Sequence, residues 1–198
     1  MKSELNFLYD QIYLDEKNKD PRIFIDLVRP KLSLIENTEF NNDEDYNIAT
    51  TILSDYGIML YRAGYYQKSI DYLNLAIKQF ENFTNLKNKD LLEHASYESL
   101  LFHRAMGLYD LKQFGQSALD FKRLVKKFPD NDKYLSWLKL IKSRRYSSIE
   151  WMFAFICTAS LIFIFFWHNN DSIEFISRLT LIIGLIGGIS TSYLRKRI

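Results

Sequence analysis

Two long apolar segments near the C-terminus constrain the fold of this chain more than any other feature. Trp151–Trp167 has no charged residue, and Phe175–Leu194 has one, Arg178. At ~1.5 Å per helical residue, segments of this length span roughly 25–30 Å, about the thickness of a bilayer core. A soluble protein would need many other helices to cover two cylinders that are apolar on all sides. The sequence therefore predicts two transmembrane helices, at about 149–167 and 175–194.

The charges around these segments predict their orientation. The connection between them, His168–Ser172, is short and holds no Lys or Arg. Basic residues precede the first span and follow the second: Lys139, Lys142, Arg144, Arg145, Arg195, Lys196 and Arg197. Since Lys and Arg are retained on the cytoplasmic side of membranes, both termini are expected there. We expect an integral membrane protein, with the bacterial inner membrane as its location.

Small residues at helical spacing predict where the two spans pack against each other. They are Ala154 and Thr158 in the first span, and Gly184, Gly187, Gly188 and Thr191 in the second. Small side chains let helix backbones approach closely in lipid, where packing drives association. Counted from the cytoplasmic ends, Thr158 lies near the depth of Gly187, and Ala154 near that of Thr191. We expect this contact within one hairpin, and a homo-oligomer of hairpins is the alternative.

Residues 1–146 differ in composition and are predicted to form a separate cytoplasmic domain, with the hairpin occupying 147–198. The segment from Ser147 holds four of the 26 basic and three of the 24 acidic residues, which leaves 22 basic and 21 acidic residues before it. A nucleic-acid-binding domain would carry a surplus of basic residues against phosphates. The near balance therefore argues against a nucleic-acid partner.

Apolar residues recur at spacings of three and four throughout this domain, which predicts helices and no strands. Asp20-Pro21 is typical of a helix start, and Pro30 should interrupt the helix that follows. Two helical hairpins come next, with turns at Gly64 and at Lys112-Gln113. The predicted fold class is all-α: stacked helical hairpins followed by two transmembrane helices.

The two predicted hairpins resemble each other at a constant offset of 48 residues. Tyr61, Tyr66, Ser69 and Leu73 of the first correspond to Tyr109, Phe114, Ser117 and Phe121 of the second. The matching positions include both the bulky and the small residues. The sequence therefore predicts two copies of one helix-turn-helix unit, clearest at 51–81 and 99–129.

The first copy resembles a tetratricopeptide repeat. The matches to its bulky, Leu, Gly, turn and small positions are Leu53, Tyr56, Gly57, Gly64, Tyr66, Ser69 and Ala76. The second copy keeps Ala105, Ser117 and Pro129, but Arg104 and Leu124 replace the Leu and Ala of the family pattern. Because this repeat is usually about 34 residues long, the larger offset implies an insertion or a long helix between the copies.

The resemblance implies a concave groove, lined by the first helix of each repeat, in which such proteins bind other proteins. The residues expected to face it are Ser54, Ile58, Tyr61, Arg62, Phe102, Met106, Tyr109 and Asp110. Tyr, Arg, Phe and Met are enriched where interfaces gain their binding energy. The alternative is that Phe102 and Met106 belong to the core.

The sequence contains no recognisable catalytic constellation. The histidines His94, His103 and His168 do not form a metal-ligand set, and no glycine-rich phosphate loop occurs. We expect no enzyme activity, no metal and no cofactor. Our hypothesis is a membrane-anchored adaptor or scaffold that binds a protein partner. Two alternatives stay open: a membrane-active effector whose hairpins oligomerise and permeabilise the bilayer, and an accessory subunit of a membrane complex.

Overall fold

The computed structural model describes residues 4–36, 43–82, 91–93, 95–166 and 171–196. Within these ranges the chain is helical apart from short turns and contains no strand, so the predicted all-α class is confirmed. The chain divides into two compact units, Met1–Tyr134 and Leu135–Ile198.

The first unit begins with three helices: α1 (Glu4–Tyr13), α2 (Pro21–Val28) and α3 (Leu32–Glu36). The Asp20 carboxylate accepts hydrogen bonds from the backbone N–H groups of Arg22 at 2.9 Å and Ile23 at 3.2 Å, which satisfies the free donors at the start of α2. Pro30 lies in a single turn of 3-10 helix that separates α2 from α3. The predicted helix start and interruption are therefore confirmed.

Two helical hairpins follow. They are built from α4 (Asp43–Arg62) and α5 (Tyr66–Asn82), and from α6 (Ala95–Asp110) and α7 (Phe114–Lys127). α2 packs on α4, α4 on α5, α5 on α6 and α6 on α7, so the helices stack in chain order. α6 begins at Ala95, after a 3-10 turn at Leu91–Glu93.

The turns of the two hairpins are closed in the same way. Gly64 and Lys112, which are 48 residues apart, both adopt a positive φ, +84° and +61°. In each turn the N–H of this residue donates to the carbonyl three residues earlier, and the next N–H donates to the carbonyl five residues earlier, at 2.8–2.9 Å. This pair of bonds is a Schellman motif, which satisfies carbonyl groups at the end of a helix.

The contacts between the two helices of each hairpin are repeated as well. The Ser69 hydroxyl donates to the Gly57 carbonyl at 2.7 Å, and the Ser117 hydroxyl donates to the Ala105 carbonyl at 2.6 Å. An aromatic pair flanks each turn, with ring centroids 5.5 Å apart in both hairpins. Residues that are 48 positions apart in the sequence therefore make equivalent contacts in the two hairpins.

The shared turn geometry predicts opposite effects for two substitutions. Gly64→Ala should lower the free energy of unfolding by about 1 kcal/mol, because a Cβ is strained at this positive φ. Lys112→Gly should raise it by about 0.5–1 kcal/mol, because glycine removes the same strain from the second turn. Urea denaturation of the full chain in mild detergent, followed by circular dichroism, measures both. Changes of the same sign would contradict the equivalence of the turns.

The second unit is an antiparallel helical hairpin. It consists of the greater part of α8 (Asp132–Phe166), which begins in the first unit, and of α9 (Asp171–Lys196). The predicted domain boundary after residue 146 falls within α8, and α9 begins four residues before the predicted span. Residues 167–170, which include most of the predicted connection, lie outside the described residues.

Both helices of this hairpin are long and apolar enough to cross a membrane. This conclusion rests on their length and composition. In the most apolar 18-residue window of each helix, only 6% and 11% of the residues are buried. The apolar side chains of this unit are therefore mostly exposed, unlike those of helices in the core of a soluble protein.

Candidate functional site

A pocket of about 280 Å³ lies in the first unit, between α4 and the N-terminal half of α6. Its lining residues are Thr51, Ser54, Asp55 and Ile58 from α4, and Ala95, Ser96 and Ser99 from α6. α4 and α6 are the first helices of the two hairpins, and the sequence predicts a groove along these helices. The lining is mainly hydroxyl-bearing and suits hydrogen bonding to a polar or extended ligand.

The four groove residues predicted on α4 occupy different environments. Ser54 and Ile58 line the pocket, although both are largely buried, and the Ser54 hydroxyl donates to the Thr50 carbonyl at 2.5 Å. Tyr61 lies beyond the pocket, where its ring contacts the His103 ring at 6.0 Å. Arg62 is exposed. Ser54 and Ile58 thus form part of the pocket wall, and Tyr61 and Arg62 lie beyond it towards the end of α4.

The four residues predicted on α6 do not line this pocket. Phe102 is only 8% exposed and makes edge or tilted ring contacts with Phe121 at 5.8 Å and Tyr134 at 5.7 Å. Met106 and Tyr109 are half-buried, while Asp110 is exposed. Phe102 therefore belongs to the core, as the alternative interpretation holds, because the start of α8 brings Tyr134 against its ring.

Sequence reasoning misses Asp55, which contributes the carboxylate of the pocket. The Tyr13 hydroxyl donates to Asp55 Oδ2 at 2.6 Å. Burial raises the pKa of Asp55 above the usual aspartate value, while the bond from Tyr13 and the charge of Arg62 oppose this shift. Tyr13 lies 42 residues from Asp55 in the sequence, so no local spacing indicates the pair.

His103 lies one helical turn after the pocket residue Ser99 and is held in one orientation. Its Nδ1 lies 2.9 Å from the Ser99 carbonyl oxygen. A carbonyl can only accept, so Nδ1 carries the hydrogen and Nε2 is left as the other ring nitrogen. Burial lowers the pKa of His103, and the positive charges of Arg62 and Lys133 lower it further, against the bond to Ser99. The ring is therefore neutral near pH 7.

The lowered pKa of His103 predicts a pH-dependent stability. In the folded state the pKa of His103 lies below the usual histidine value of 6.5. Between these two pKa values the unfolded state therefore binds more protons than the folded state. The free energy of unfolding should therefore rise with pH through the window and fall on acidification from about pH 7 to about pH 5. His103→Gln should flatten this dependence, as measured by urea denaturation across the range. An unchanged slope in the variant would contradict the prediction.

Arg104, on the other side of α6, joins three helices through an ion pair with α7 and a hydrogen bond to α5. Arg104 donates from Nε to Asp120 Oδ2 at 2.8 Å, from Nη2 to Asp120 Oδ1 at 2.6 Å, and from Nη1 to Asn74 Oδ1 at 2.9 Å. The Asp120 side chain is only 5% exposed. Arg104 stands where the tetratricopeptide pattern has Leu. An arginine at a position that is usually apolar indicates that a buried acidic side chain lies nearby.

The residues that the structure describes contain no group of three or more His, Cys, Asp or Glu side chains arranged to hold a metal ion. Of the three histidines weighed as ligands, His94 and His168 lie outside those residues. The chemistry visible in the pocket is therefore hydrogen bonding and charge, from hydroxyl groups, one carboxylate and nearby cations.

In the second unit the glycines of α9 receive large side chains of α8. A Cβ added at Gly187 would overlap the Phe153 ring, and one added at Gly184 would lie 2.7 Å from Cys157 Sγ. Both approaches are far closer than van der Waals contact, so a larger residue at either position would have to displace Phe153 or Cys157. A Cβ at Gly188 would meet Phe153 at an ordinary 3.8 Å.

The structure corrects the predicted partners of these glycines. Ala154 and Thr158 are exposed, and the Thr158 hydroxyl donates to the Ala154 carbonyl of its own helix at 2.9 Å. Phe153 and Cys157, each one residue earlier and so about 100° around the helix, take their place. The small residues therefore indicate the wrong face of α8, and the predicted depth is displaced by about one turn, because the residue beside Thr158 meets Gly184 and not Gly187. Thr191 likewise bonds within its own helix, to the Gly187 carbonyl at 2.9 Å.

Polar groups inside this hairpin pair with each other across the two helices. The Ser160 and Thr180 hydroxyl groups lie 2.8 Å apart, and Arg195 forms an ion pair with Glu150 at 2.6 Å. The hairpin thus has a closely packed glycine region between a hydroxyl pair and a charge pair.

No family model matches this sequence, and no curated protein matches it either. Its function must therefore be inferred from the pocket in the first unit and the apolar hairpin of the second.

Proposed function

We propose that this protein is a membrane-anchored adaptor whose N-terminal unit, a tetratricopeptide-like stack of helical hairpins, binds a protein partner. The observation that carries the proposal is the exposure of apolar side chains along both helices of the second unit, including Trp151, Phe155, Phe165 and Ile189. Exposed apolar patches of this extent mark contact with lipid or with another protein. Helices of this length and composition favour lipid.

The repeated contacts of the first unit support a tetratricopeptide-like architecture. Gly57, Ser69, Ala105 and Ser117 stand at the family's small positions, and all four take part in the contacts that join the helices of each hairpin. Stacked repeats bury their apolar faces against neighbouring units, and α1–α3 provide one such neighbour. Proteins of this architecture commonly use the surface of the first helices for binding.

The pocket between α4 and α6 is the proposed binding surface for the partner. Its hydroxyl groups and the Asp55 carboxylate can hydrogen-bond to the backbone of an extended segment, and Tyr61 and Arg62 extend the surface towards the end of α4. The basic residues around the apolar helices support an orientation with both ends of the hairpin in the cytoplasm. The proposed location is a bacterial inner membrane. The proposal includes no catalytic step.

The anchor is tested by fractionation of cells that express the full chain. We expect the protein in the membrane fraction, resistant to alkaline carbonate. Ile182→Lys with Ile186→Lys places charges on the exposed apolar face of α9 and should release it or prevent its accumulation. Gln67→Lys with Gln116→Lys adds the same charge to exposed sites of the first unit and should change nothing. A monodisperse wild type in buffer without detergent would refute the anchor.

The binding surface is tested by quantitative co-purification from native membranes. Ser96→Arg adds bulk at an exposed position of the pocket, and Tyr61→Ala removes an aromatic group beyond it. Either change should reduce capture of a specific partner about tenfold or more. Gln116→Arg, on the exposed surface of α7, is the matched control and should leave capture unchanged. Equal capture by all variants would contradict the assignment of the pocket.

The effector alternative makes a different prediction. It requires hairpins to associate through the small residues of α9, but Phe153 and Cys157 of the same chain occupy the spaces at Gly187 and Gly184. The adaptor proposal therefore expects no dye leakage from liposomes that contain the full chain. Leakage that Gly184→Leu abolishes would favour the effector instead.

A further inference from the structure

A surplus of positive charge lies on α8 directly before its apolar segment. Between Leu135 and Phe166 the chain has four basic residues, Lys139, Lys142, Arg144 and Arg145, and one acidic residue, Glu150. Glu150 is already paired with Arg195 at 2.6 Å. None of the four cations forms an ion pair with a described residue. The second unit therefore carries an uncompensated charge at one end of its apolar surface.

Two of these cations lie in line with exposed apolar side chains. Arg144, Ser148, Trp151 and Phe155 are spaced four, three and four residues apart, so they share one face of α8. All four are exposed, and Trp151 and Phe155 are both 75% exposed. Arg145 begins a neighbouring row that leads to the exposed Met152 seven residues later. Each row passes from a guanidinium group to apolar surface.

The dimensions of this face match those of a phospholipid. At ~1.5 Å per residue, Arg144 lies roughly 10 Å along the helix axis from Trp151 and about 16 Å from Phe155. A phosphate bound at Arg144 and Arg145 would place the ester region near the Trp151 indole and an acyl chain along Phe155. Arginine suits this role because its planar fork binds phosphate oxygens in pairs. Tryptophan is enriched at the ester depth of bilayers.

We propose that this face of α8 is a binding site for an anionic phospholipid, with the headgroup at Arg144 and Arg145 and the acyl chain along Trp151 and Phe155. The site rests on the proposed membrane anchoring. Phosphatidylcholine also has a phosphate, but its quaternary ammonium would meet the same uncompensated cations. A free phosphate would use the guanidinium groups and leave the apolar surface uncovered. Guanidinium groups next to exposed apolar side chains therefore favour a lipid of net negative charge.

The site is tested with the full chain in nanodiscs of equal amounts of phosphatidylglycerol and phosphatidylcholine. Native mass spectrometry counts the lipids retained on release from the nanodisc. We expect the wild type to retain phosphatidylglycerol preferentially. Arg144→Gln with Arg145→Gln should reduce this preference by about fivefold for each cation removed. Arg144→Lys with Arg145→Lys keeps both charges and should keep most of the preference, which shows that the hairpin still folds.

Three outcomes would overturn the inference. Equal retention of both lipids by the wild type would remove the preference itself. Lys122→Gln with Lys126→Gln removes two exposed charges from α7, and an equal loss of preference in this variant would show that net charge and not this face explains it. Displacement of the lipid by inorganic phosphate at millimolar concentration would indicate a simple anion site. A protein absent from nanodiscs of any composition would instead refute the membrane anchor.

Discussion

Asp120→Ala is expected to lower the free energy of unfolding of the first unit by about 3–5 kcal/mol. The substitution leaves the Arg104 guanidinium, which is only 18% exposed, without the carboxylate that binds it through two hydrogen bonds. Removing one member of a buried ion pair costs more than the pair itself contributes, because an uncompensated charge remains in a medium of low dielectric constant. Urea denaturation of the full chain in mild detergent, followed by circular dichroism, measures the loss.

Two further variants separate this effect from the loss of any acidic residue. Asp26→Ala removes the partner of an exposed ion pair with Arg29 and should change stability by no more than about 0.5 kcal/mol. Arg104→Met with Asp120→Leu removes both charges and should recover most of the stability lost in the single variant. If Asp120→Ala proves as mild as Asp26→Ala, the ion pair does not hold the two helices of the second hairpin together.

Gly57→Ala should lower the free energy of unfolding by about 2 kcal/mol, although alanine favours helices. The new Cβ would lie 2.8 Å from Leu73 Cδ2 and 3.3 Å from the Leu73 backbone nitrogen, so α4 and α5 would have to separate. Overpacking of this kind costs about 1–3 kcal/mol, which exceeds the gain of about 1 kcal/mol in helix propensity.

Gly115→Ala is the matched control for this prediction. Gly115 is also helical, but no atom lies within 4 Å of the position that a new Cβ would take, so only the propensity gain of about 0.5–1 kcal/mol remains. The same denaturation experiment should therefore give opposite signs for the two substitutions. A stabilising Gly57→Ala would show that the helices of the first hairpin do not approach as closely as described.

Features of the fold that depend on neighbouring residues are predictable from the sequence. Asp20-Pro21 and Pro30 act on their own backbone, so the start of α2 and its interruption follow from local chemistry. The break in helical periodicity predicts the turns at Gly64 and Lys112, and their common offset indicates that they are equivalent. The apolar segments are predictable because their composition alone distinguishes them from the rest of the chain.

Features that depend on distant residues or on the exact rotation of a helix are not predictable in the same way. The bond between Tyr13 and Asp55 joins elements 42 residues apart, so sequence reasoning misses the carboxylate of the pocket. The repeat pattern places Phe102 in the groove, whereas contacts from α7 and the start of α8 make it part of the core. The spacing of small residues places Thr158 near Gly187 and Ala154 near Thr191, whereas the structure places Phe153 against Gly187 and Cys157 against Gly184.

The pairing of polar groups across the second unit has a consequence for how this hairpin could enter lipid. Alone, α8 would carry the Glu150 charge into the bilayer and α9 would carry that of Arg195, whereas the Ser160 and Thr180 hydroxyl groups already donate to carbonyl groups of their own helices. Together, the two charges neutralise each other and the two hydroxyl groups share a hydrogen bond. Because each unpaired group costs free energy in hydrocarbon, concerted insertion of an assembled pair has a lower barrier than insertion of one helix after the other.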